Sequence, residues 1–74
     1  MRSIETDLLE IVVNGGTRRI PPDLTLDQVL AYLEVNSEQV AVEKDGAIVR
    51  KSDWSSTLIR SGSNLEIVQF VGGG

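Results

Sequence analysis

The apolar and polar positions divide the chain into short segments of differing period. Leu9-Glu10-Ile11-Val12-Val13 is rich in β-branched residues and stops at Asn14-Gly15-Gly16. Asn-Gly accepts the positive φ angles of a type I′ turn, so this stretch predicts the first arm of a hairpin. The second arm, Thr17 to Ile20, runs into Pro21-Pro22, which cannot continue a ladder. Leu26, Val29, Leu30 and Leu33 then recur at i, i+3, i+4 and i+7, the apolar stripe of a helix. Thr25-Leu26-Asp27-Gln28 fits a capping box at its start, and Asp23 and Asp27 suit the positive end of its dipole. Glu34, Asp27 and Gln28 fall away from the stripe, and Asn36 is the expected stop.

Val40-Ala41-Val42-Glu43-Lys44 and Ala47-Ile48-Val49-Arg50 form a second predicted hairpin around Asp45-Gly46. Lys51 to Ile59 lacks a period, with room for one or two turns of helix near Ser52-Asp53-Trp54. Ser61-Gly62-Ser63-Asn64 is a turn cluster, and Leu65 to Phe70 is the last strand. Neither hairpin can bury its apolar face alone, and the helix has a single stripe to offer. The economical arrangement is α+β: a mixed sheet of about four to five strands packed on one main helix, the β-grasp arrangement. The long crossover makes the first and last strands parallel neighbours. Leu9, Ile11, Val13, Val29, Leu30, Val42, Ile48 and Ile67 are the expected core, and Trp54 is expected to pack at the open end of the sheet. The domain is placed at residues 8–71. Residues 1–7 are read as a flexible N-terminal extension or the product of an upstream start, and residues 72–74 as a flexible glycine tail.

Composition then removes most chemistries. A chain of 74 residues makes one domain, near the lower limit for a single core. Without Cys or His it has no disulfide, thiol nucleophile, imidazole base or ordinary zinc site. Ser55, Ser56 and Ser61 therefore lack a triad partner. Glu10, Glu43, Glu66 and Asp53 are expected to face solvent, and Asn14-Gly15-Gly16 lacks the lysine of a phosphate-binding loop. No catalytic residue and no metal are expected. Seven Lys+Arg against eleven Asp+Glu give a net charge of −4, which argues against nucleic acid as a partner. No apolar run is long enough for a membrane span or a signal peptide, so a cytoplasmic, monomeric protein without membrane contact is expected.

What remains is the end of the chain. Gly72, Gly73 and Gly74 follow directly on the last predicted strand. A main-chain carboxylate is ionised at neutral pH, with a reference pKa of roughly 3.3–3.7. It becomes an acyl donor only after a better leaving group replaces its oxygen, as adenylation would achieve. For this the tail has to thread into another protein, and glycine, lacking Cβ, permits that approach. Residues 71–74 extended reach at most roughly 13–14 Å, enough to enter a cleft. If Leu65 and Ile67 face the core, then Glu66, Val68 and Phe70 face outward. Val68, Phe70 and Val71 then form a docking patch beside the tail, unless the strand end curls and takes Phe70 into the core.

Several ordered segments resemble the ThiS family of thiamine-biosynthesis sulfur carriers, which are small ubiquitin-like proteins ending in Gly-Gly. They are Ile11-Val12-Val13-Asn14-Gly15, the helix with Thr25-Leu26, Val29-Leu30 and Leu33, then Val40-Ala41-Val42-Glu43, Ile48-Val49, Trp54 and the terminal Gly73-Gly74. The resemblance spans Leu9 to Gly74. It implies that an E1-like adenylyltransferase, using ATP and Mg, activates the Gly74 carboxylate, while Gly72 and Gly73 thread into its site. A persulfide enzyme then supplies sulfur, and the resulting thiocarboxylate delivers it to thiazole synthase. It implies no cofactor bound by the chain, which acts as a carrier rather than an enzyme. Departures include Gly62-Ser63 where the family often has Gly-Asp, Lys44 or Asp45 where it has Asn, and Arg50 where it has Pro. Carriers for molybdopterin, tRNA thiolation or cysteine synthesis share the tail. So does a ubiquitin-like modifier conjugated to lysines, and a plain β-grasp interaction module with an idle tail remains a further alternative.

Overall fold

In the computed structural model, which describes residues 7–70, both Asn/Asp-Gly pairs form the turns expected of them. Asn14 and Gly15 have φ of 50° and 84°, and Asp45 and Gly46 have 52° and 88°. These are the paired positive angles of a type I′ hairpin, whose twist matches that of its strands. The first turn joins β1 (Leu9–Val13) to β2 (Gly16–Ile20), and the second joins β3 (Val40–Lys44) to β4 (Ala47–Val49). β5 (Asn64–Gln69) lies between the hairpins, giving a five-stranded sheet in the order β2-β1-β5-β3-β4. β5 runs parallel to β1 and antiparallel to β3, which is the ubiquitin-like β-grasp.

The helix α1 (Leu26–Tyr32) presents Leu26, Val29 and Leu30 to the sheet, all fully buried. At seven residues it is too short to be stable alone, so packing and its ends hold it. At its start the predicted capping box forms, with Gln28 Oε1 accepting from the Thr25 N–H at 2.9 Å. Its stop differs from expectation. Glu34, at φ 61°, takes the left-handed position, with Val35 N–H donating to Leu30 C=O and Glu34 N–H to Ala31 C=O. That is a Schellman ending, and Val35 packs back against the core as the motif favours. Asn36 instead caps the next turn, a 3₁₀ segment at Ser37–Gln39, its Oδ1 accepting from Glu38 N–H.

The crossover from β4 to β5 begins with a 3₁₀ segment at Lys51–Ser56 and then pairs with the entry to α1. Leu26 N–H donates to Thr57 C=O and Ile59 N–H to Leu24 C=O, placing Ile59 in the core. Trp54 is buried, as expected, with its indole N–H donating to Val49 C=O at 3.0 Å. The full core is Ile11, Ile20, Leu26, Val29, Leu30, Val40, Val42, Trp54, Ile59 and Leu65, with Leu9, Val13 and Ile67 packed at its margin. Ile48 is not among them. It is 74% exposed, because the turn register pairs Val42 with Val49 and so sends Ile48 to the opposite face.

Both turn residues also hold the central strand. Asn14 bonds the main chain of Ile67, and Asp45 Oδ1 accepts from Asn64 N–H at 2.9 Å while its own N–H donates to Asn64 C=O. The Asn64 N–H, and after it the Lys44 ammonium 3.0 Å away, hold the Asp45 carboxyl below the usual carboxylate range. A depressed folded value means stability that is present above the unfolded pKa of about 3.9 and lost as pH falls through the folded value. Urea titrations stepped down from pH 5 are therefore expected to show a steeper loss for the native chain than for Asp45→Asn. The asparagine keeps the acceptor and tolerates the left-handed φ, so parallel curves would exclude this carboxylate as a source of acid sensitivity.

Candidate partner-docking surface

Alternation along β5 sorts its residues between two faces. Leu65 is buried under α1 and Ile67 packs against the core, while Val68 and Phe70 are each 59% exposed on the opposite face. Phe70 does not curl inward: its N–H still donates to Gln39 C=O at 2.7 Å, continuing the ladder one step past β5. Across the sheet Val68 lies opposite Ala41, Glu66 opposite Glu43, and Glu43 opposite Ile48. The face away from the helix thus carries Ile48, Val68 and Phe70 in the open, with half-buried Ala41 and the exposed Glu43 and Glu66 beside them. Three of the five exposed large apolar side chains among the described residues, Ile48, Val68 and Phe70, share this face, while Tyr32 and Leu58 lie elsewhere.

Ile48 is the residue of this face that the sequence reading sent to the wrong side. Its apolar run, Ala47-Ile48-Val49, has no alternation of its own to reveal a parity. The signal lay in the two-residue turn, which fixes Glu43 against Ile48 once Val42 is core. Glu43 and Glu66 sit directly across from each other, an unfavourable placement for like charges in the isolated domain. Val71, Gly72, Gly73 and Gly74, the remaining predicted site residues, lie outside the described residues.

Glu10, Glu43, Glu66 and Asp53 are exposed, as expected. Among the described residues no group of three or more acidic, His or Cys side chains could hold a metal ion. Among them also, no helix is long and apolar enough to cross a membrane. The buried polar Ser63 has a structural task, accepting the Arg60 N–H at 3.2 Å within the turn before β5.

Comparison with known proteins agrees with the fold. The model of the ThiS family matches residues 11–74. A thiazole synthase of Paramagnetospirillum magneticum is 39% identical over 66 residues, covering 89% of this chain but 20% of that protein. The chain thus spans about a fifth of the length of that relative, and the same holds for a thiazole synthase of Magnetococcus marinus. The protein ycf40 of Pyropia yezoensis is 33% identical over 66 residues, covering 89% of this chain and 93% of the relative. Among solved structures, the thiamine biosynthesis protein ThiS of Geobacter metallireducens superposes with a TM-score of 0.79 at 28% identity, covering 89% of this chain and all of the other.

Proposed function

The chain belongs to the ThiS family, and from that footing we propose that it carries sulfur for thiazole formation in thiamine biosynthesis. The observation that carries the reading is the extent of the family match, which runs through the glycine tail to Gly74. In this reading a Gly74 carboxylate oxygen attacks the α-phosphorus of ATP on an adenylyltransferase, releasing pyrophosphate. The terminal sulfur of a persulfide then attacks the acyl carbon and displaces AMP. A second thiol then attacks the persulfide enzyme's sulfur in the resulting acyl disulfide, forming a disulfide with it and releasing the thiocarboxylate on Gly74. ATP and Mg belong to the activating partner. The chain itself contains no Cys or His, and the reaction asks for neither, because the reacting group is main chain.

Thiazole synthase is the proposed acceptor. Support comes from the two relatives of that name, in which a segment matching this chain is part of the same polypeptide. Gly72 and Gly73 thread the tail, and Val68, Phe70 and Val71 dock the domain outside the partner's cleft. Incubating the chain with ATP, Mg and the adenylyltransferase of the same organism tests the first step. Pyrophosphate release that depends on the chain is expected. Its absence with an enzyme active on its own known carrier would remove this reading, and lysine-linked adducts in its place would point to conjugation.

The docking patch has its own consequence. Phe70→Ala is expected to weaken binding to the adenylyltransferase by about tenfold or more, the usual scale for losing an aromatic anchor. Unfolding stability should move by less than about 0.5 kcal/mol, since the side chain is exposed and the Phe70 N–H bond to Gln39 is kept. Calorimetric titration paired with urea unfolding separates the two effects. Equal affinity for variant and native chain would take Phe70 out of the interface.

A further inference from the structure

β1 stops short of the end of β5, and the lane it vacates is lined. The parallel ladder runs from Val12 N–H to Ser63 C=O and from Asn14 N–H to Leu65 C=O, each 2.9 Å. One step on, a side chain replaces the missing main-chain rung. Asn14 Oδ1 accepts from Ile67 N–H at 2.7 Å, and Asn14 Nδ2 donates to Ile67 C=O at 3.2 Å. Alternate residues of a strand aim their main-chain groups to the same side, so the next rung on this edge belongs to Gln69. The bond from Phe70 N–H to Gln39 C=O confirms the parity: Phe70 faces β3, and Gln69 N–H and C=O face away from it. A cleft of about 450 Å³ opens against this edge at Asn14, Arg18, Ile67 and Gln69 and reaches beneath the sheet to Leu33, Val35 and Val40.

The sequence beyond explains what would use such an edge. Gly72, Gly73 and Gly74 offer a partner no side chains, only N–H and C=O groups. A protein that draws in this tail has to read main chain, and a strand laid along the open edge of β5 begins reading at Gln69, five residues before Gly74. We infer that the cleft receives an extended strand of the tail-activating enzyme, added in the lane that β1 vacates, with Gln69 N–H and C=O as its first rungs. This rests on the carrier reading for the identity of the partner. Recognition is then divided: the outer face supplies apolar contact, and the edge aligns the tail by main-chain bonds.

Amide hydrogen exchange, followed by NMR on the chain alone and on its complex with the adenylyltransferase, tests the edge. Exchange at Gln69 is expected to slow by about tenfold or more on binding. Gln69→Pro removes an N–H that points away from β3, on a strand edge of the kind that accepts proline. It is expected to bind about tenfold more weakly with little change in unfolding midpoint. Replacing the same amide by an ester through semisynthesis should weaken binding likewise, without the constraint of the proline ring. A formed complex in which the Gln69 amide exchanges as in the free chain, or an ester variant that binds as tightly as the native chain, overturns the edge pairing and leaves the carrier reading intact. Failure to form any complex overturns the carrier reading and the assigned partner together.

Discussion

Removing Gly74 is expected to cut acyl-adenylate formation by at least about a hundredfold. The deletion moves the terminal carboxylate back by one residue, about 3.4 Å along an extended chain. A misplacement of even about 1 Å at a reacting atom can cost roughly a hundredfold in rate. The new terminus, Gly73, is chemically the same carboxylate, so any loss reports position and not reactivity. Val68, Phe70 and the Gln69 edge are untouched by the deletion. Binding to the adenylyltransferase should therefore change little while turnover collapses, and unfolding stability should stay at the native value. Pyrophosphate-exchange kinetics and a binding titration on the same preparation separate the two. A shortened chain that is adenylated as well as the native one would show that the position of the terminal carboxylate is not what the enzyme reads.

The turns were the most legible part of this fold, and parity at the edges the least. Asn14-Gly15 and Asp45-Gly46 announced their type because only such residues accept paired positive φ at low cost. The helix stripe followed from its spacing, and the outward aspect of Val68 and Phe70 from alternation with buried Leu65. Ile48 failed because three apolar residues in a row carry no parity, and the register that decides it had to be counted through the turn. Ile59 lies in an irregular segment, where burial follows from the bond to Leu24 and no period betrays it. The helix stop was missed because Glu34 is not a residue type that advertises a left-handed angle.

The second role of Asn14 and Asp45, reaching across to β5, was also invisible along the chain. Both are turn-formers in their own right, and their partners lie far away in sequence. Of the outer sheet face, Val68 and Phe70 were readable, whereas Ile48 came from the register. The open edge at Gln69 depends on where β1 ends relative to β5. Only the pairing shows that.

Leu30→Ala is expected to bring the domain close to unfolding. Leu30 is fully buried between α1 and the sheet. Alanine preserves or improves helix propensity, so the loss is packing alone. Such truncations cost about 2–5 kcal/mol, counting transfer and the cavity left behind. A single core of this size rarely supplies more than about 3–5 kcal/mol in total. The substitution therefore removes most of the margin, and a large fraction of molecules should be unfolded at 25 °C. The sole Trp, Trp54, lies in the same core and reports the transition by fluorescence. Ile48→Ala is the matched control: deleting a comparable aliphatic side chain from the exposed face should change stability by less than about 0.5 kcal/mol. If both variants lost stability equally, the assignment of these residues to opposite faces would be wrong.

The central claim is that Gly74 carries sulfur. Intact-mass spectrometry of the chain recovered from its native host, grown without thiamine and with ample sulfur, tests it most directly. The predicted spectrum contains a species in which one oxygen is replaced by sulfur, with fragmentation placing the change on Gly74. A spectrum showing only the unmodified carboxylate under those conditions would contradict the account.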